Sequence, residues 1–285
     1  MEAVFIVTVF NLKMMLMEKI TAAGPYLYGS AIAAFAVIQL VTQHFLTCML
    51  AVPATLPLRW LWVNVSSAIW LTAAAGIFLR QWRQVASVLA GALFFVFFIC
   101  LGLPKLLGDL YNPNEWTPAF ETMMLGSGGL IIAVNSFGEG EKWDPKWVRL
   151  GAAGGLYLFA MGLMIFAVLH IRYNDYIITL IPSWMPGKLF ISYVVIAAFF
   201  LSAFCLFTNI KVRPAMWWLG IMYLLWVGVL HAPRAIGRLT VEMEWSSLFV
   251  ALACAGIAFS IYHRAIDARS GGVGRLVAVP IQAGG

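Results

Sequence analysis

Eight long stretches of the sequence contain no Asp, Glu, Lys or Arg. A helix rises about 1.5 Å per residue, so roughly 20 apolar residues are needed to cross a hydrocarbon core of about 30 Å. The stretches do not alternate as barrel strands do, and a helix satisfies its backbone groups within one segment. The sequence therefore predicts an all-α, polytopic integral membrane protein with about eight transmembrane helices. The stretches are 21–58, 60–79, 84–104, 122–138, 150–171, 189–210, 214–233 and 245–263.

Composition and charge distribution agree with a lipid environment. Hydrophobic residues make up 62% of the 285 positions and charged residues 11%, against about half and about a quarter in soluble domains. The net charge of +6 comes from scattered basic residues rather than a water-exposed basic cluster, so no nucleic-acid partner is expected. With eight spans, 12 Lys and Arg residues lie on the side of the termini and 6 on the other side. The positive-inside rule therefore predicts that both termini are cytoplasmic.

An internal repeat runs through the chain at a constant offset of 129 residues. It preserves prolines and also charge, since Lys105 is matched with Arg234. Because each unit has four spans, an even number, both units enter the membrane from the same side and are predicted to be parallel repeats. Other matched pairs are Pro53 with Pro182, Pro57 with Pro186, Gly91 with Gly220, Pro104 with Pro233, Glu115 with Glu244 and Trp116 with Trp245.

The repeat and the charge pattern divide the chain into five predicted segments. The first carries charged residues among methionine and leucine, a composition typical of an interfacial amphipathic helix. The last is rich in glycine and small residues, which indicates a flexible end. The segments are an interfacial N-terminal stretch 1–20, the first four-helix repeat 21–138, a cytoplasmic linker 139–149, the second four-helix repeat 150–263 and a C-terminal tail 264–285.

Repeated polar residues collect at the predicted outer rim of both units. Lys105 and Glu115 flank a short loop and are predicted to form a structural ion pair, because neighbouring antiparallel helices bring the ends of such loops together. A glutamate at a helix start also complements the macrodipole, and a tryptophan there is an ordinary interface anchor. In the second unit the same neighbourhood also contains a titratable histidine, which makes it a candidate ligand-binding site. Its residues are His231, Arg234, Glu244 and Trp245.

Two further histidines, His44 and His170, lie near the outer ends of the first helix of each unit, at an offset of 126. Each is either a buried neutral histidine bonded to a backbone carbonyl or a hydrogen-bond partner for a carbonyl-bearing ligand such as a quinone. No carboxylate or thiolate lies at ligand spacing beside either histidine, so no metal site is predicted.

Four cysteines occur singly in apolar stretches, with no Cys-x-x-Cys pair. Redox chemistry by a vicinal pair is therefore not supported. Cys48 and Cys100 both fall toward the predicted outer ends of their spans, and the sequence leaves open whether they form a disulfide or remain buried free thiols.

Three segments of the second unit resemble the DoxX-like family of small four-helix membrane proteins. They are the sequence Ile-Pro-Ser-Trp-Met-Pro-Gly at 181–187, the sequence Trp-Val-Gly-Val-Leu-His-Ala-Pro-Arg at 226–234, and the Glu-Trp pair at 244–245. The resemblance covers about residues 151–263 and reaches 26–136 only through the repeat. The first copy departs from the pattern, with Leu58 in place of Gly187 and Gly102 in place of His231.

The resemblance implies a protein of the bacterial inner membrane. The family includes the small subunit of thiosulfate:quinone oxidoreductase and members linked to thiol or oxidative-stress systems. It implies an outer-rim site in the second repeat, with the degenerate first repeat as a supporting half. The implied site residues are Pro182, Trp184, Pro186, His231, Arg234, Glu244 and Trp245.

Two functional hypotheses follow from the sequence. The first is a membrane subunit or accessory protein of a quinone- or thiol-linked redox system, which binds partner subunits and is not catalytic alone. Quinone is the cofactor that this hypothesis would involve. The alternative is a small-molecule transporter or binder with its ligand between the two repeats, as in other parallel-repeat carriers.

Overall fold

The protein is a bundle of membrane-length helices. The computed structural model describes residues 15–50, 52–53, 55–136 and 146–270. Across these residues, eight helices are long and apolar enough to cross a membrane, and no strand occurs. The prediction of an all-α polytopic membrane protein is therefore confirmed. The helices are α1 (Met15–Thr42), α2 (Arg59–Phe78), α3 (Arg83–Gly108), α4 (Trp116–Asn135), α5 (Lys146–Arg172), the short α6 (Asn174–Leu180), α7 (Lys188–Thr208), α8 (Val212–Gly237) and α9 (Glu242–Ser270).

The eight long helices form a closed ring that is divided in two. Around the ring, α1 to α5 pack in sequence, α5 packs on α7, and α7, α8 and α9 follow before α9 returns to α1. The fourth helix of each repeat, α4 and α9, also contact each other across the ring. This contact separates a first bundle of α1, α2, α3, α4 and α9 from a second bundle of α4, α5, α7, α8 and α9. Each bundle therefore includes one helix of the other repeat: α9 belongs to the first bundle as well, and α4 to the second.

The backbone reproduces the 129-residue repeat in detail. A single π-helical turn interrupts α3 at Phe98–Gly102 and α8 at Val227–His231. The residues before α2 and α7 are Leu58 and Gly187, and both adopt left-handed backbone conformations with φ of 51° and 67°. Only glycine adopts this conformation without a steric penalty, so the second repeat has the better-adapted residue at this turn. At the π-helical turn and at the residue before the second helix, the two units share the same backbone geometry.

The first helices of the two repeats match at an offset of 131 rather than 129. Phe35 on α1 packs against Trp70 on α2, with ring centroids 6.0 Å apart. Phe166 on α5 packs in the same way against Phe199 on α7, at 6.2 Å. Since Trp70 and Phe199 are themselves 129 residues apart, the connection after the first helix is two residues shorter in the second repeat.

This shift changes the expected relation between the two histidines. At an offset of 131, His170 is equivalent to Gln39 and not to His44. His44 follows the end of α1 and is exposed, and its backbone N–H bonds the Thr42 hydroxyl. The two histidines therefore do not occupy equivalent places, because their offset of 126 differs from the 131 that relates the first helices.

Three predicted segment boundaries fall inside helices. Residues 15–22 are helical and run through a turn at Ala23 into the helix that begins at Gly24, so residues 15–20 lie in the first part of α1. The helix α5 begins at Lys146, within the predicted linker, and α9 continues to Ser270, within the predicted tail. The remainder of these predicted segments, 1–14, 139–145 and 271–285, lies outside the described residues.

All four cysteines are free, so Cys48 and Cys100 are not paired. Burial, reinforced by the nearby Glu121 and Glu242 carboxylates, raises the pKa of the Cys48 thiol. A thiol needs its thiolate form to attack a disulfide, so this environment opposes exchange chemistry at Cys48.

Candidate ligand-binding site

Equivalent polar corners mark one end of each bundle, called here the ion-pair end. In the first repeat, Lys105 Nζ lies 2.8 Å from Glu115 Oε2. In the second, Arg234 Nε and Nη2 each donate to one oxygen of Glu244, both at 2.9 Å. Both ion pairs tie the end of the third helix of a repeat to the start of the fourth.

Tryptophan reinforces each corner. Trp116 donates its indole N–H to the Leu110 carbonyl at 3.2 Å, and Trp245 donates to the Leu239 carbonyl at 3.1 Å. Trp116 and Trp245 are 129 residues apart, and so are Leu110 and Leu239. The two repeats therefore fix the loop before the fourth helix by the same hydrogen bond. An indole with one donor is fully satisfied by such a bond.

The second corner has a third member, Arg238, whose Nη1 lies 3.1 Å from Glu244 Oε1. The Glu244 side chain is only 6% exposed, and both of its oxygens accept hydrogen bonds from guanidinium groups. A carboxylate held by a bidentate arginine and a second arginine is charge-compensated within the fold. The predicted site residues Arg234, Glu244 and Trp245 therefore form a structural clamp, and none of them lines the cavity described next.

A cavity of about 570 Å³ lies in the second bundle beside this corner. Its volume is within the range of pockets that bind drug-sized ligands. All six helices from α4 to α9 line it, so both repeats contribute. The apolar lining residues are Phe166, Leu169, Ile177, Leu180, Ile181, Val195, Phe199, Trp226, Leu230, Val250 and Ala251. The polar lining residues are Asn114, Thr117, Glu121, His170, Tyr173, Tyr176, Ser192, Tyr223, His231, Ser247 and Cys254.

Of the residues predicted from sequence, the cavity brings together only His170 and His231. Pro182, Trp184 and Pro186 lie in the loop before α7, and of that loop only Ile181 lines the cavity. Trp184 is 69% exposed, as expected of an anchor in the headgroup region. The exposed His44 also lies apart from the cavity lining.

The two cavity histidines present different hydrogen-bonding groups. His170 Nδ1 lies 2.9 Å from the Phe166 carbonyl oxygen, and since a carbonyl only accepts, Nδ1 carries the proton. In the neutral ring this leaves Nε2 as an acceptor. His231 lies in the π-helical turn of α8, and no hydrogen bond to its ring is found in the described part of the chain. His231 is therefore available to donate to a ligand oxygen.

Two cavity residues were not predicted from the sequence. Glu121 projects from α4, and within the described ranges it makes no hydrogen bond or ion pair. Tyr223 on α8 is 7% exposed, and among the described residues its hydroxyl has no partner in hydrogen-bond geometry, with the Cys254 thiol as its polar neighbour. The repeat could have revealed both residues, because each is polar where the other repeat has an apolar residue. Glu121 is matched with Val250, and Tyr223 is matched with Phe94.

The sequence places Glu121 just outside the predicted span, because the charge-free stretch that predicts α4 starts at Thr122. The helix in fact begins at Trp116, so Glu121 lies more than one turn inside it. Ionisable groups within spans are commonly functional.

The equivalent region of the first bundle is a packed core. Phe35, Trp70 and Phe94 are fully buried there, and the rings of Trp70 and Phe94 are 5.0 Å apart. The equivalent of Trp70 in the second bundle is the smaller Phe199. Gln39, the equivalent of His170, accepts hydrogen bonds from two serines of α2. Aromatic volume thus fills in the first bundle the region that is open in the second.

No family model, curated protein or solved structure matches the chain. Among the residues that the structure describes, no group of three His, Cys, Asp or Glu is placed to hold a metal ion. Any functional proposal therefore rests on the cavity itself.

Proposed function

We propose that this protein is the quinone-binding membrane component of a redox system, with the ligand held in the second-bundle cavity. The observation that supports this is an apolar cavity within the membrane span that contains two histidines, His170 and His231. A quinone has a planar ring, carbonyl oxygens that accept hydrogen bonds, and an apolar tail. Each of these parts has a complementary group in the cavity.

The aromatic walls suit the ring. Phe166, Phe199 and Trp226 line the cavity and provide flat apolar surfaces for stacking. His231 can donate a hydrogen bond to a carbonyl oxygen near the ion-pair end, and His170 Nε2 can accept one from the reduced form of the ligand. Aliphatic lining residues such as Leu169, Ile177 and Leu180 provide an apolar surface for part of the ligand's tail.

We propose that the protein lies in a bacterial inner membrane and acts together with partner subunits. By the positive-inside rule the ion-pair end faces away from the cytoplasm, and the resemblance to the DoxX-like family favours a bacterial inner membrane. We propose that partner subunits supply the catalytic centre, and that this chain positions the quinone for them. The raised pKa of the half-buried Cys48 thiol favours the quinone-linked version over the thiol-linked one.

One observation favours the alternative of a small-molecule binder or transporter with its ligand between the repeats. Asn114, Thr117 and Glu121 belong to the first repeat but line the cavity of the second bundle. A ligand in this cavity would therefore contact both repeats. A polar ligand recovered from the purified protein would favour this alternative over a quinone.

Replacing His231 with alanine is expected to weaken the binding of a short-chain benzoquinone about three- to tenfold, because one hydrogen bond to the ligand is lost. Equilibrium binding to the protein purified in mild detergent measures this. His44→Ala is the matched control and is expected to bind as the wild type does, because His44 lies outside the cavity.

Mass spectrometry of compounds that co-purify with the wild-type chain provides an independent test of the same proposal. Recovery of a quinone, or of a redox subunit in fixed ratio, supports it. Failure of the wild-type protein to bind any benzoquinone or naphthoquinone, or an unchanged affinity in His231→Ala, would contradict it.

A further inference from the structure

We propose that the cavity selects para-quinones, with Tyr223 and His231 holding the two opposite carbonyl oxygens of one ring. This inference rests on the proposed function and specifies which arrangement of carbonyl groups the site recognises. Both residues line the cavity, and both belong to α8. In the first repeat the matching positions are Phe94 and Gly102, so the packed first bundle lacks both polar groups.

A π-helical turn at Val227–His231 aligns the two residues. In a regular α-helix, residues eight apart differ in direction by about 80°, since each residue turns the helix by about 100°. A π-helical turn takes about one more residue than an α-helical turn, so eight residues that pass through it complete close to two full turns. The interruption therefore directs His231 to the same side of α8 as Tyr223, in agreement with their places in the lining of one cavity.

The separation of the two residues along α8 matches the length of a para-quinone. Eight residues correspond to a rise of about 12 Å, and helical side chains lean toward the helix N-terminus, so the two polar groups keep a similar separation. The opposite oxygens of a para-quinone ring are about 5 Å apart, and one hydrogen bond at each end extends this span to about 11 Å. The oxygens of an ortho-quinone are adjacent, so an ortho-quinone reaches only one of the two residues.

The Tyr223 side chain offers a hydrogen-bond donor to the cavity. It is buried, and across the described ranges its hydroxyl has no partner in hydrogen-bond geometry. Its polar neighbour is the thiol of Cys254, and a thiol is only a weak donor and acceptor. Buried hydroxyl groups are nearly always bonded to protein or to another molecule. This hydroxyl therefore indicates a ligand atom that accepts its proton, as a quinone carbonyl oxygen does.

Three other lining side chains already donate to the protein. His170 Nδ1 and the hydroxyls of Ser192 and Tyr173 all donate to protein oxygens. Glu121 is a donor when its carboxyl group is protonated, and it lies close enough to Tyr223 for an electrostatic interaction. It is therefore the competing donor, and a Glu121 variant accompanies the Tyr223 variant in the experiment.

Binding of the para and ortho isomers of naphthoquinone to the full chain in detergent tests this inference, because the isomers differ only in the placement of their carbonyl groups. The wild type is expected to bind the para isomer about three- to tenfold more tightly, the effect of one additional hydrogen bond. Tyr223→Phe is expected to weaken binding of the para isomer by the same factor. It should leave binding of the ortho isomer unchanged, since His231 alone holds that isomer, and the preference should disappear.

Three further variants accompany Tyr223→Phe. Tyr157→Phe is the matched control, because it removes a hydroxyl from an exposed ring stacked on Phe207, and it is expected to keep the wild-type affinities. Glu121→Gln keeps the size of the side chain and is expected to retain the preference, whatever its effect on the affinity for both isomers. If Tyr223→Phe does not yield folded protein, His231→Ala replaces it and is expected to bind the two isomers equally.

The outcomes separate this inference from the proposed function. Equal binding of the two isomers by the wild type, or a preference that survives in folded Tyr223→Phe, overturns the selection of para-quinones while the quinone proposal stands. A preference that is lost in Glu121→Gln but kept in Tyr223→Phe assigns the contact to Glu121 and also overturns it. If neither isomer binds to the wild type, the proposed function itself fails.

Discussion

Gly256→Leu is expected to prevent the two repeats from assembling. A Cβ atom at Gly256 on α9 would lie 2.6 Å from the Gly24 carbonyl oxygen and 2.8 Å from the Tyr28 nitrogen, both on α1. These are backbone atoms, so the clash is relieved only if α1 and α9 separate. Such close approach between membrane helices depends on small residues. The cost is expected to exceed the roughly 1–3 kcal/mol of ordinary overpacking.

The folded yield after detergent extraction, judged by size-exclusion chromatography, measures this effect. Gly154→Leu on α5 is the matched control, because nothing lies within 4 Å of a Cβ atom added there. The control is expected to give the wild-type yield and elution position. A Gly256→Leu protein with the same thermal stability as the control would show that α1 and α9 do not pack as described.

Glu244→Ala is expected to destabilise the second repeat by about 2–3 kcal/mol. Removal of one partner of a buried ion pair costs about 3–5 kcal/mol, and the cost is lower here because the Arg234 side chain is 29% exposed. The substitution leaves two guanidinium groups without their shared carboxylate. It also releases the clamp between the end of α8 and the start of α9.

The first repeat provides the control for this substitution at the equivalent position. Glu115→Ala breaks a single contact to Lys105, whose side chain is 50% exposed, and exposed pairs contribute at most about 1 kcal/mol. Thermal unfolding in detergent is therefore expected to show a much larger shift for Glu244→Ala than for Glu115→Ala. Equal shifts in the two variants would contradict the structural role assigned to the second corner.

Most of the fold could be predicted from the sequence because hydrophobic length and the repeat are strong, local signals. The spans, their number and the repeat at 129 all follow from uninterrupted apolar stretches and matched prolines such as Pro104 and Pro233. Helix ends were less accurate. A charged residue such as Lys146 ends a charge-free stretch in the sequence, but the helix extends through it, so charge does not mark the helix end.

The sharing of α4 and α9 between the bundles could not be predicted. Each repeat was expected to form its own bundle, but the repeats are joined by contacts of α4 with α5 and of α9 with α1. Amphipathic patterns do not reveal these partners, because lipid-facing and protein-facing surfaces are similarly apolar in a membrane protein.

The candidate site was predicted only in part. The sequence pointed to the second repeat and to His170 and His231, which line the cavity. It also grouped Arg234 and Glu244 with the ligand site, because proximity in sequence does not distinguish a saturated ion pair from an open one. Glu121 was missed because it comes from the other repeat, and only the packing of α4 into the second bundle brings it to the cavity.

Photoaffinity labelling with an azido-benzoquinone, followed by mass-spectrometric mapping of the labelled peptides, tests the central claim most directly. The account predicts labels on the second-bundle lining, concentrated near His170 on α5 and near Tyr223 and His231 on α8. Excess unmodified benzoquinone should suppress these labels. Labels confined to the first bundle or spread over lipid-facing residues, without suppression by competitor, would show that the second-bundle cavity is not a quinone site.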